Sequence, residues 1–122
     1  MKITGRKIAK LAADAAEEKK AVNVVILNLR SLNFFAEYFV IAGGESDVQV
    51  RAIADNIDRI LGKNGIRVHH VEGDKKSRWI LLDCGDVVIH VFHQEERRFY
   101  SLERLWGDAR QVNFGEKAKE RR

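Results

Sequence analysis

Hydrophobic positions change period several times along the chain, and each change predicts an element. Behind Thr4, whose side chain can cap a first turn, Ile8, Leu11, Ala12 and Ala15 recur every three or four residues and predict a helix. Lys10, Asp14 and Glu18 fall on its wetter side, and the shallow apolar stripe suits a helix lying on a sheet. From Val22 to Leu29 the chain is almost continuously apolar and rich in β-branched residues, which predicts a strand covered on both faces. Ser31 and Asn33 interrupt it. Tyr38 to Ala42 predicts a second such strand, ended by Gly43-Gly44.

Ser46 with Gln49 matches a capping box, and Val50, Ile53, Ala54, Ile57, Ile60 and Leu61 then form one stripe with Arg51, Asp55, Asp58 and Arg59 outside it. Gly62 or Gly65 can supply the left-handed exit, and Ile66 to Val71 predicts another strand. Arg78 to Asp83 and Asp86 to Phe92 predict an antiparallel hairpin around Cys84-Gly85. A two-residue loop there would pair Leu82 with Val87, Ile80 with Ile89 and Trp79 with His90, and put Trp79, Leu81, Val88, His90 and Phe92 on one face. From about Glu95 to Trp106, Phe99, Leu102 and Leu105 sit at helical spacing, and after Asn113 periodicity stops. The order α-β-β-α-β-β-β-α implies an α/β fold, a small mixed β-sheet flanked by helices. Residues 1–112 read as a single domain and 113–122 as a charged, mobile tail.

Composition narrows the compartment and the partner. No apolar run approaches the about eighteen residues needed to span a bilayer, and no leader-like segment follows the first lysines, so a cytoplasmic protein without membrane contact is expected. The single cysteine, Cys84, cannot form an intrachain disulfide, and proline is absent. The net charge of +4 is carried by the ends. Residues 1–20 hold six Lys/Arg against three Asp/Glu and residues 113–122 four against two, leaving −1 for the body between them. A duplex-binding face needs clustered cations, which only the two ends could supply.

Three constellations could carry chemistry. Gly43-Gly44-Glu45-Ser46 precedes a helix, but it lacks the phosphate-loop Lys and the three-glycine fingerprint, and Glu45 and Asp47 would repel a phosphate. Asp83 and Asp86 flank a turn while His90 and His93 lie down the strand, and His69-His70 would point to opposite faces, so no metal site and no cofactor are expected. No serine or cysteine shows a local partner pattern, so no catalytic residues are assigned. The third constellation, from Trp79 through His90 and His93 to Trp106, holds both tryptophans beside charged residues. Residues 83–108 carry six acidic against three basic side chains, the complement of a basic protein surface.

An ordered set of segments carries a resemblance: Tyr38-Phe39-Val40-Ile41-Ala42, Ser46-Asp47 with Gln49 to Ala54, Val71-Glu72-Gly73, Trp79 to Asp83, Gly85 to His93, and Phe99-Tyr100 with Leu102 to Ala109. Together they resemble the ribosomal silencing factors, the RsfS or Iojap family, over most of residues 5–112. The resemblance implies one α/β domain of nucleotidyltransferase-like topology without the catalytic motif, commonly a homodimer. It implies binding to the large ribosomal subunit at ribosomal protein L-fourteen, a steric block to the small subunit, and repressed translation when nutrients are short, as in stationary phase. The chain fits the missing chemistry, since Asp83 and Asp86 stand one residue too far apart for an Asp-x-Asp pair. Partner-binding residues expected on this reading are Trp79, His90, His93, Tyr100, Glu103 and Trp106, with Ser46, Asp47 and Arg51 behind them. The alternatives are a divergent nucleotide-binding or nucleotidyltransferase-like enzyme, and a weak ribosomal RNA contact made by the basic ends. Deleting 113–122 separates the last of these: a protein-centred contact keeps most of its affinity, whereas an RNA contact weakens and its salt dependence flattens in binding titrations.

Overall fold

The computed structural model describes residues 4–30, 35–73 and 78–95 together with the backbone of 110–111. Thr4 caps α1 (Gly5–Glu18) as expected, its hydroxyl accepting the Lys7 N–H at 3.2 Å. The stripe of α1 is mostly alanine, and Ala9, Ala12, Ala13, Ala15 and Ala16 are buried with Ile8, so the helix lies close against its neighbours. Leu11 stays partly buried at the edge of that contact. Lys10 and Asp14 pair at 3.0 Å on the outer side.

β1 (Val22–Asn28) and β2 (Tyr38–Gly44) pair antiparallel, with an irregularity between Val22 and Val25 where Asn23 takes a φ of 53°. α2 (Asp47–Lys63) opens on Ser46, whose hydroxyl accepts the Gln49 N–H at 3.1 Å. Gln49 reaches one residue further back than a capping box requires, accepting the Glu45 N–H at 2.7 Å. Gly62 stays inside α2, and Gly65, at φ 75°, makes the left-handed exit.

β3 (His70–Gly73), β4 (Trp79–Asp83) and β5 (Val87–His93) follow, and β6 (Arg110–Gln111) adds to the far edge. The sheet order is β3-β4-β5-β2-β1-β6. Only β2 and β5 run parallel; every other neighbouring pair is antiparallel. The mixed sheet flanked by helices is therefore the architecture of the chain, and among the described residues no helix is long and apolar enough to cross a membrane.

Three expectations need correction. The strand expected over Ile66 to Val71 begins only at His70, because residues 66–69 form no ladder; Ile66 is buried against the helices and Val68 packs on the same cluster. The hairpin turns at Gly85-Asp86, with the Cys84 N–H donating to the Val87 carbonyl at 2.9 Å, so Leu82 faces Ile89, Ile80 faces Val91 and Trp79 faces Phe92. Gly85 supplies a φ of 86° that Cys84 would adopt only with strain. The register moves by two residues, an even number, so the face assignments survive. β6 was not foreseen, and the helical arm expected beyond Glu95 lies outside the described residues, as does the 113–122 tail.

Alternation along the strands sorts the core into two layers. Val24, Ile26, Tyr38, Val40, Ala42, Ile80, Leu82, Val87, Ile89 and Val91 face both helices, while Val25, Leu27, Leu29, Ile41 and Phe92, with Phe39 beside them, form a second apolar cluster on the other face. Each fully buried aliphatic side chain contributes roughly 1.5–3 kcal/mol.

The two helices are locked by polar groups of α2 that serve the end of α1. Gln49 Nε2 donates to the Lys19 and Lys20 carbonyls at 3.1 and 3.0 Å, and Asn56 Nδ2 donates to the Ala15 carbonyl at 2.9 Å and to Glu18 Oε1 at 3.0 Å. Arg59 donates to Asn56 Oδ1 at 2.8 Å. Carbonyls at a helix C-terminus lack intrahelical donors, so these side chains act as a cap supplied from the neighbouring helix. Asn56 is the one buried polar residue among those described, and Asn56→Leu should cost about 1–3 kcal/mol in urea unfolding. Arg51→Ala on the exposed side of α2 should stay within about 0.5 kcal/mol of the parent.

Candidate functional site

The face of β4 and β5 turned away from the helices carries an aromatic stack. Trp79 lies nearly parallel to Phe92, centroids 5.2 Å apart, and His90 continues the stack 5.9 Å from Phe92. Phe39, from the adjoining β2, meets His90 edge-on at 4.8 Å. The parallel register of β2 with β5 brings Phe39 here, and the corrected hairpin register sets Trp79 directly opposite Phe92.

Trp79 Nε1 donates to His90 Nδ1 at 3.3 Å, which leaves the proton of the neutral imidazole on Nε2. That Nε2 is buried and has no hydrogen-bond partner. Burial pushes the His90 pKa down to about 4, so the ring is neutral at physiological pH. Its place in the stack is that of an aromatic spacer holding Trp79.

Beyond the stack the face opens. Trp79 is 38% exposed, and with Leu81, Glu72 and Gly73 it lines a concavity of about 240 Å³ beside the edge strand β3. Gly73 makes the close approach possible, since a Cβ there would fall 2.9 Å from the Trp79 carbonyl oxygen and 3.2 Å from Ile80 Cα.

A charged cluster borders this shelf at the end of the sheet where β2 and β5 finish. Arg78, just before Trp79, lies 3.0 Å from Glu95 and 3.6 Å from Asp47. His93 Nε2 is 3.9 Å from Asp47, while His93 Nδ1 accepts the Glu95 N–H at 3.2 Å. Exposed pairs of this kind contribute at most about 1 kcal/mol each, so what the cluster does is fix side-chain positions. Ser46 caps α2 beside it, and Arg51 points outward from the next turn without an ion pair to it among the contacts described.

The residues expected to bind a partner thus divide. Trp79 and His90 meet in the stack, Ser46, Asp47 and His93 meet at the sheet end, and Arg51 stands apart; Tyr100, Glu103 and Trp106 lie outside the described residues. Arg78 and Glu72 were not singled out from the sequence, although Glu72 belongs to the Val71-Glu72-Gly73 segment that carried the resemblance; Glu95 belongs to the third constellation but not to the partner-binding residues expected from it.

The features that invited an enzyme reading do not converge. Asp83 Oδ1 accepts the Gly85 N–H at 2.8 Å, an ordinary turn contact, and the Asp86 carbonyl accepts the Glu37 and Tyr38 N–H groups. Both aspartates sit where β5 begins, whereas Gly43-Gly44 sits where it ends, about 20 Å away at ~3.3 Å per residue. Burial, helped by Asp83 and Asp58, raises the Cys84 thiol to about 11 and keeps it protonated. Among the described residues no group of three His, Cys, Asp or Glu side chains could hold a metal ion.

Comparison with known proteins gives a consistent result. The profile of the family described as ribosomal silencing factor during starvation matches residues 2–122. A Bacillus subtilis protein named ribosomal silencing factor RsfS is 47% identical over 85% of this chain and 88% of its own length. One of the same name from Halalkalibacterium halodurans is 43% identical over 92% of this chain and 96% of its own. A crystal structure from Chromobacterium violaceum superposes with a TM-score of 0.83 at 32% identity, covering 93% of this chain and 94% of that one.

The buried neutral imidazole makes stability depend on pH. His90 binds its proton more weakly folded, at about 4, than at its ordinary 6.5, so the unfolded chain takes up the proton first as pH falls. Stability is retained above pH 6.5 and declines between 6.5 and 4 by up to about 3 kcal/mol from this group. His90→Phe should remove that part of the slope in urea titrations at stepped pH.

Proposed function

We propose, from the premise that this chain belongs to the ribosomal silencing factor family, that it represses translation by occupying the large ribosomal subunit and blocking the small subunit sterically. The observation that carries the reading is the family match along residues 2–122. The separation of the glycine turn from the aspartates supports it, because occlusion needs a shaped surface and no reacting centre. On this reading the protein is not an enzyme and takes no cofactor.

Ribosomal protein L-fourteen is the proposed contact. Trp79 is the anchor, offered to the partner from a stack that already fixes its ring, so little side-chain freedom is lost on docking. His90 holds that ring, and Asp47 and His93, with Ser46 beside them, form a polar rim whose carboxylate suits a basic partner, while Arg51 one turn along the helix would meet an acidic or polar group of it. Tyr100, Glu103 and Trp106 extend the same surface in the proposal. We include a homodimer, a cytoplasmic location, one domain over residues 1–112 and a role in stationary phase. A nucleotidyltransferase-like topology without that chemistry belongs to the same reading, and the basic ends can graze ribosomal RNA without setting specificity.

Co-sedimentation with isolated large subunits, with and without added small subunits, tests this. The chain should pellet with the large subunit and lower the yield of joined ribosomes; a chain that stays in the supernatant, or binds while joining proceeds, defeats the proposal. Trp79→Ala should weaken docking by about 2–4 kcal/mol with the circular dichroism spectrum retained.

A further inference from the structure

The second apolar cluster is buried without help from either described helix. Leu27 and Ile41 keep no exposed surface and Leu29 and Phe92 keep 1%, yet α1 and α2 both pack on the opposite face of the sheet. A sheet face left to water would expose the side chains at its centre, so another part of the chain lies on it.

The course of the chain after β5 identifies that part. β6 is antiparallel to β1, β1 is antiparallel to β2, and β2 is parallel to β5, so β5 and β6 run parallel with β2 and β1 between them. Parallel strands require a crossover. Residues 94–109 must carry the chain from His93, beside Gly44, to Arg110, beside Asn28 at the opposite end of the sheet. Three strand spacings across and the length of β2 back give a diagonal of about 24 Å, which these residues match as an α-helix rising ~1.5 Å at each.

Handedness and the first turn of this segment select the face. α2 crosses the helix face while the chain moves from β2 toward the β3 edge, whereas 94–109 move the opposite way, and two such connections are both right-handed only on opposite faces. The backbone is already helical at Gln94 and Glu95, where the Glu95 N–H donates to His93 Nδ1. Gln94 reaches over β2: its Oε1 is buried against Gly43, where a Cβ would fall 2.5 Å away. Strand alternation places Gly43 on the same face as Ile41.

We infer that residues 94–109 form an amphipathic helix across the second face, from β5 over β2 and β1 to β6, with Phe99, Leu102 and Leu105 seated on Phe92, Ile41 and Leu27. Leu102 is the middle of that stripe and Ile41 the middle of the face. Trp106 lies on the same arc beside Phe99, so only the margin of its ring can reach a partner, while Tyr100 falls on the opposite side and faces outward. The sheet then has apolar cover on both faces. This placement stands independently of ribosome binding.

Hydrogen exchange of the full chain, free of ribosomes, is the first test. Amides of residues 98–108 should exchange at least about a hundredfold more slowly than those of an unstructured chain, and exchange at unstructured rates overturns the inference. Ile41→Cys with Leu102→Cys should close an intrachain disulfide on mild oxidation, while Ile41→Cys with Arg104→Cys, on the outward side of the same helix, should not. Equal yields from the two pairs, or none from the first, overturn it. Leu102→Asp should lower the urea midpoint by about 1 M and Tyr100→Asp by less than about 0.3 M; equal shifts contradict the stripe. Exchange is read on the parent, so it decides even where a variant fails to fold. Co-sedimentation with large subunits is a separate measurement, and its failure would leave these outcomes untouched.

Discussion

The parallel pairing of β2 with β5, seven residues in register from Tyr38 opposite Val87 to Gly44 opposite His93, joins what would otherwise be two separate antiparallel units. β1 with β2 makes one, and β3 with β4 and β5 makes the other. A parallel pair cannot be closed by a tight turn; it needs a crossover, which α2 supplies by leaving β2 at Ser46 and packing across the sheet before the chain returns through β3 and β4. The apolar stripe of α2 is therefore the condition on which the joint depends, and α1 shares its face through the Gln49 and Asn56 contacts. These hydrogen bonds, buried at Asn56 and exposed at Gln49, satisfy carbonyls at the end of α1, so they set the relative position of the helices as well as adding stability.

Both helices described lie on one face, and the other carries the second apolar cluster. At its centre Leu27, Ile41 and Phe92 are fully buried, but toward β3 the cover gives way to Trp79, Leu81 and Glu72. The stack of Trp79, Phe92 and His90 passes from one regime to the other, with its inner rings buried and its outer ring half open. A neutral histidine in such a place costs little as an aromatic spacer and would cost several kcal/mol if charged, which explains its depressed pKa. Surface recognition favours this construction, because a ring held in place before binding spends little entropy when a partner covers it. The family to which the chain belongs gives that shelf its proposed counterpart on the ribosome.

Much was legible in the sequence because it depended on neighbours a few residues away. Thr4 and Ser46 start their helices through hydroxyl contacts within three residues, the stripes of α1 and α2 follow from helical period, and strand alternation fixed which side chains share a face. The face containing Trp79, His90 and Phe92 followed from that alternation alone and survived an error in the turn, since a shift of two residues preserves it. The ordered segments also carried the family resemblance, which the family profile bore out.

What tertiary structure decided were relations between distant residues. Sequence cannot state that β2 lies beside β5, and so it could not bring Phe39 to His90 or send the glycine turn and the two aspartates to opposite ends of one strand pair. Helical period alone does not mark Asn56, which is buried because the carbonyl it serves belongs to another helix. Residues 66–69 read as strand from their composition, yet Ile66 and Val68 turn to the helix layer and the ladder begins only at His70. Local preference determines which conformation a segment favours, whereas strand neighbours and cross-helix hydrogen bonds are set only when the whole chain closes and every buried polar group must find its partner.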